Sequence, residues 1–148
     1  MTTRRFTSDS EEETREIGRR VGRLLAPDGV ALLSGDLGAG KTVLTRGVAQ
    51  ALGIDPDEVQ SPTFTLLREH AGPGGRLFHL DLYRLDPDEV WGVGVEEVFA
   101  RAGVKVVEWA ERLPFDLPGA LRLTLTRRPA GGREIVLETQ ALQAEETL

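Results

Sequence analysis

Val30-Ala31-Leu32-Leu33-Ser34-Gly35-Asp36-Leu37-Gly38-Ala39-Gly40-Lys41-Thr42 is the stretch that decides the fold. An apolar run, Val30 to Leu33, reads as a strand buried on both faces. The eight residues from Gly35 to Thr42 match G-x-x-x-x-G-K-[ST] at every defined position. In that pattern glycines let backbone N–H groups turn inward around phosphate oxygens, and the next helix points its positive end at the same anion. Lys41 is placed to reach the β- and γ-phosphates, and the Thr42 hydroxyl to ligate Mg²⁺. The residues expected to bind the nucleotide here are Gly38, Ala39, Gly40, Lys41, Thr42 and Val43.

The flanking sequence supports a strand–loop–helix unit. Ser10-Glu11-Glu12-Glu13 reads as a capping box that opens a helix, with Ile17, Val21, Leu24 and Leu25 at helical spacing and a stop at Pro27-Asp28-Gly29. A second helix is expected from Lys41 to Leu52, closed by Gly53. Thr63–Arg68 and Leu77–Leu82 alternate with period two around a turn at Ala71–Gly75, which predicts a hairpin. An acidic helical stretch begins at Asp86 and runs to Ala102, with breaks expected at Gly92 and Gly94. Val104–Val107 reads as another buried strand, and Leu121–Thr126 with Arg133–Glu138 as a second hairpin. The expected fold class is therefore α/β: a single P-loop NTPase-like domain over 1–140, its mixed parallel and antiparallel sheet flanked by helices. A polar C-terminal tail is expected over 141–148.

Composition bounds the function. The chain has 148 residues and a net charge of −6, which disfavours a stand-alone nucleic-acid binder. It has no cysteine, so a disulfide framework, a thiol nucleophile and a zinc–cysteine site are excluded. No apolar run reaches the length of a membrane span, and the polar, acidic N-terminus lacks a signal peptide's apolar stretch. A cytoplasmic protein with no membrane partner is expected. Lysine occurs only at positions 41 and 105, and asparagine is absent. A GC-rich genome or a thermophilic host would each account for the bias. Without Asn there is no N-K-x-D motif for reading guanine, which favours ATP over GTP.

A P-loop NTPase also needs an acidic residue near Mg²⁺, commonly after an apolar strand. Two positions qualify: Asp81 after Leu77-Phe78-His79-Leu80, and Glu108 after Val104-Lys105-Val106-Val107. One would hold Mg²⁺ through water while the other orients the attacking water; the plain alternative is a carboxylate that caps a strand end or pairs with arginine. Ser61-Pro62-Thr63-Phe64 offers a switch-like hydroxyl or ordinary turn chemistry.

Together these segments resemble the TsaE (YjeE) family. The resemblance rests on Gly35–Thr42, Ser61-Pro62-Thr63-Phe64-Thr65-Leu66, His79-Leu80-Asp81-Leu82-Tyr83-Arg84-Leu85 and Glu108-Trp109, in matching order over about residues 6 to 138. It implies an ATPase of tRNA threonylcarbamoyladenosine synthesis that binds ATP with Mg²⁺ and slowly hydrolyses it to ADP and phosphate. It further implies partners TsaB and TsaD, with TsaD transferring the group to the adenosine 3′ of certain anticodons. TsaE would reset that assembly by ATP hydrolysis and meet tRNA only through it. On this resemblance Lys41, Thr63, Asp81 and Glu108 are catalytic, and Thr42, Asp81 and Glu108 serve the metal. Trp109 and Arg133 lie near the nucleotide, and Ser10 and Glu11 border the adenine. His70 and His79 are read as structural. The chain departs from many members in carrying Phe64 where they carry Tyr. Two other readings share the loop: a small-molecule P-loop kinase, and a nucleotide sensor without turnover.

Overall fold

A computed structural model describes residues 2–36, 38–60 and 66–140. The seven strands are β1 (Thr2–Ser8), β2 (Val30–Gly35), β3 (Leu67–Gly72), β4 (Gly75–Asp81), β5 (Val104–Glu108), β6 (Leu121–Arg127) and β7 (Arg133–Thr139). They form one sheet in the order β1-β7-β6-β2-β5-β4-β3. Strands β6, β2, β5 and β4 run parallel, and the edges are antiparallel: β3 against β4, β7 against β6, β1 against β7. The mixed sheet expected from sequence is therefore the one observed.

Helices α1 (Glu11–Leu25) and α2 (Lys41–Ala51) cover one face. Ile17, Val21, Leu44 and Val48 meet Ala31, Leu33, Leu77, Val104 and Val106 there. The intervening strand residues Leu32, Phe78, Leu80 and Val107 point the other way, onto Val90, Val95 and Val98 of the short helices α3 (Pro87–Val90) and α4 (Val95–Ala100). This period-two partition explains why the central strands read as unbroken apolar runs.

The two helices of the first layer lie backbone to backbone. A Cβ on Gly18 would fall 2.1 Å from the Leu44 carbonyl oxygen, and one on Gly47 would fall 2.1 Å from that of Arg15. Gly22 faces Ala51 in the same way. Small residues four apart on each helix thus permit the approach. Arg19 reinforces it, donating to Gln50 at 2.8 Å while ion-paired with Glu12 and Glu16.

Several expectations need correction. The polar N-terminus forms β1, whose alternating exposure pairs it with β7. Strand β2 continues past Leu33 to Gly35. The first hairpin lies later than expected: β3 runs through Ala71 to Gly72, and the turn is only Pro73-Gly74, because Gly72 pairs with Gly75. The capping box is half formed. Ser10 Oγ accepts from Glu13 N–H, but the Glu13 carboxylate takes the Asp9 N–H instead of that of Ser10. The acidic stretch breaks where expected, with a 3₁₀ turn at Trp91–Val93 and Gly94 in the left-handed region at φ 75°. The expected Ser61–Phe64 segment and the 141–148 tail lie outside the described residues.

Candidate functional site

Parallel strands β2, β4 and β5 deliver their C-terminal ends side by side. Register pairs Leu33 with Glu108 and Asp81 with Glu108. Gly35, Asp81 and Glu108 therefore reach the same sheet edge, where open α/β sheets bind ligands. The turn after β2 leads directly into α2. Its first residue is preceded by Gly40 at φ 106°, a left-handed conformation that a Cβ would strain, and among the described residues no side chain caps the helix. The N–H groups of its first turn point out of the helix end, as an anion requires.

Lys41 is 5% exposed. Its ammonium donates to the Gly35 carbonyl and, at 3.0 Å, to that of Asp36. It also lies 4.1 Å from the centroid of the Trp109 ring. Burial pushes the Lys41 ammonium below its ordinary range, opposed chiefly by Glu108 and then by Glu111, Asp81 and Asp36. Among the described residues, a cation held this way, on neutral carbonyls and an aromatic face, has no ion-pair partner. Trp109 holds its position from a left-handed backbone (φ 59°), and its ring packs on Tyr83 at 4.7 Å. Among the described residues it is the non-glycine residue with positive φ, a conformation that costs about 1–2 kcal/mol. The structure thus places Trp109 beside Lys41, at the start of α2.

Thr42 Oγ1 lies 3.2 Å from both carboxylate oxygens of Glu108. The buried His79 donates its Nε2–H to Glu108 Oε2. Asp81 accepts the Tyr83 N–H at 2.9 Å, which fixes the turn after β4. The two acids therefore differ: Glu108 sits against the helix hydroxyl, whereas Asp81 shapes the adjoining loop. Among the described residues no group of three His, Asp or Glu side chains could hold a metal ion alone. A hydroxyl beside one carboxylate suits Mg²⁺ that keeps waters and phosphate oxygens in its shell.

On the other side of the loop lies a cleft of about 250 Å³. It is lined by Ser10, Glu11, Gly38, Gly40, Val43 and Arg133, together with Ser8, Asp9, Thr14 and Gly132. Ser10 and Glu11, expected from sequence to border the adenine, thus meet Val43 and Arg133 around one cleft. Arg133 donates to the Ala39 and Gly38 carbonyls at 3.2 and 3.1 Å, and Arg127 reaches Gly38 O at 3.3 Å. Ala39 itself is buried, with its N–H on the Asp36 carbonyl. Thr63 is the expected site residue outside the described set.

Sequence reasoning missed the Arg127 contact, the packing of Tyr83 on Trp109, and the His79–Glu108 hydrogen bond. For His79 a signal existed. Positions 79, 81 and 108 share a face through strand alternation once β4 and β5 are taken as neighbours.

A family model described as Threonylcarbamoyl adenosine biosynthesis protein TsaE matches residues 8–135. The chain is 38% identical over 136 residues to a tRNA threonylcarbamoyladenosine biosynthesis protein TsaE of Nostoc sp., covering 89% of this chain and 83% of that one. It is 40% identical over 135 residues to the Treponema pallidum protein of the same name, covering 90% and 98%. The crystal structure of Bacillus subtilis YdiB superposes with a TM-score of 0.73 at 33% identity, covering 92% of this chain and 84% of that one.

Proposed function

Because this chain belongs to the TsaE family of threonylcarbamoyl adenosine biosynthesis proteins, we propose that its cleft binds ATP with Mg²⁺ and hydrolyses it to ADP and phosphate in support of tRNA threonylcarbamoyladenosine formation. One observation carries the reading: Lys41 and Thr42 open an uncapped helix at the strand ends, with Glu108 against Thr42. An ammonium, a helix N-terminus that no described side chain caps and a hydroxyl–carboxylate pair match the chemistry of a polyphosphate and its divalent cation.

Each residue then has a task. The Lys41 ammonium exchanges the Gly35 and Asp36 carbonyls for phosphate oxygens, and the Trp109 face keeps it aimed at them. Thr42, whose hydroxyl now lies on Glu108, would offer that hydroxyl to the cation. Glu108 holds water at the phosphate end as a hydrogen-bond acceptor. Asp81 keeps the Tyr83 turn in place beside it. Ser10, Glu11, Val43 and Arg133 bound the base side, with Arg133 bracing the loop carbonyls. Mg²⁺ held at Thr42 would supply charge neutralisation at the phosphates. Thr63 is assigned the switch-like role on the strength of the family motif alone.

The remaining role lies with partners. A chain of net charge −6 is poorly suited to hold tRNA directly. We assign tRNA contact to TsaB and TsaD, and to this protein the ATP-driven resetting of their complex in the cytoplasm. Among the described residues no helix is long and apolar enough to cross a membrane. The test is hydrolysis of radiolabelled ATP by the protein alone and with TsaB and TsaD, with reconstituted tRNA modification as a second readout. Slow turnover alone, acceleration by the partners and loss in Lys41→Ala are expected. Phosphate transferred to a small metabolite would instead indicate a kinase.

A further inference from the structure

We propose that His79 is a positioning residue for Glu108, holding the carboxylate in place when Thr42 leaves it for the cation. The proposal rests on the nucleotide reading above.

His79 is fully buried on the α1/α2 face of β4. Its Nε2–H donates to Glu108 Oε2 across the β4–β5 pair, reaching one step diagonally because His79 itself is in register with Val106. Its Nδ1 is also buried and has no partner among the described residues. An unsatisfied buried polar atom costs about 1–3 kcal/mol. An apolar side chain of similar size would avoid that penalty, so packing alone does not account for an imidazole here. The hydrogen bond to Glu108 does.

The hydrogen bonds to Glu108 are also unequal. Thr42 shares one hydroxyl proton between both carboxylate oxygens at 3.2 Å, a long and divided bond. That hydroxyl is the group the nucleotide reading commits to Mg²⁺. Once it turns away, the imidazole is the side-chain donor left on Glu108 within the described residues. His79 comes from a neighbouring strand and not from the loop or α2, so its grip is independent of rearrangement in the phosphate loop. Partners of this kind, one step behind a working ligand, typically change metal affinity or activity by about 10–100-fold when removed.

Two arms test this. In the nucleotide-free protein, long-range ¹H–¹⁵N NMR should show His79 protonated at Nε2 and bare at Nδ1. Glu108→Ala should shift that resonance. In the second arm, His79→Leu should bind ADP without Mg²⁺ within about 3-fold of wild type, while kcat for ATP falls at least 10-fold with KM little changed. His79→Gln retains a donor near the Nε2 position and should recover most of that loss. Adding His79→Leu to Glu108→Ala should cost nothing further, as for two residues acting as a unit. A ring resonance indifferent to Glu108→Ala overturns the proposal even if His79→Leu does not fold. So does a His79→Leu protein with wild-type kcat. A wild-type protein that neither binds nor hydrolyses ATP would instead overturn the nucleotide reading.

Discussion

Replacing Gly47 by alanine should unlock the α1–α2 layer. The new Cβ would sit 2.1 Å from the Arg15 carbonyl oxygen, 2.8 Å from Gly18 Cα and 2.9 Å from the Arg19 nitrogen. All three are backbone atoms and cannot swing aside. Ordinary contact begins near 3.4 Å, so the helices must separate by roughly 1 Å. A gap of that size forfeits a quarter to a half of the dispersion energy across the contact, which here includes the fully buried Leu44, Val48 and Val21. Overpacking against rigid neighbours puts the gross cost at about 3–4 kcal/mol. Alanine's better helix propensity returns about 1 kcal/mol. The net expectation is a loss of about 2–3 kcal/mol, or roughly 5–10 °C in Tm for a chain of this size. Urea unfolding followed by circular dichroism measures it. Gly119→Ala is the control, since nothing lies within 4 Å of its would-be Cβ, and it should change stability by less than about 0.5 kcal/mol. Because α2 begins at Lys41, nucleotide affinity should fall with stability in Gly47→Ala. A variant as stable as wild type would refute the close-packing argument.

Other predictions follow from the charges. Lys41→Met should abolish ATP binding yet leave the nucleotide-free protein as stable as wild type or up to about 1 kcal/mol more so, because a costly buried charge is removed. The sign follows from the lowered Lys41 value: folding disfavours its protonated form, so the penalty is complete below the folded value and fades as pH rises through the ordinary lysine range. The stability gap between variant and wild type should therefore narrow in alkaline solution, as thermal melts across pH would show. Arg19 holds the Glu12 and Glu16 carboxyls below their usual range. That contribution is present above the unfolded carboxylate values and is lost as pH falls through the folded ones, so Arg19→Leu should lower stability near neutrality and flatten its decline in acid. Trp109→Leu frees Lys41 from its aromatic cover; it should weaken ATP binding about 3- to 10-fold, measured by calorimetry, an amount consistent with a desolvated cation–π contact.

What could be read from sequence follows from range. The strand–loop–helix unit and both later hairpins depend on local periodicity and turn residues, and they stand where the pattern put them to within a few positions. Strand β1 was hidden because its pairing with β7 supplies what its sequence lacks: Thr2–Ser8 contains a single apolar residue, Phe6. The site was legible as a set of residue types, and Ser10, Glu11, Val43 and Arg133 do meet around one cleft. Their division of labour was not. The separation of Glu108 from Asp81 depends on which acid faces Thr42, and that follows from the register between β2, β5 and β4. The role of His79 depended on the same strand order. A histidine inside an apolar run looks structural until its neighbour across the sheet is known.

Whether the Lys41–Thr42 loop is an ATP site is decided by isothermal titration of ATP with Mg²⁺ into wild type, Lys41→Ala and Thr42→Val. One site per chain is expected in wild type, no detectable binding in Lys41→Ala, and loss of the Mg²⁺-dependent part of the affinity alone in Thr42→Val. Equal affinity in all three proteins, or no binding by folded wild type, would contradict it.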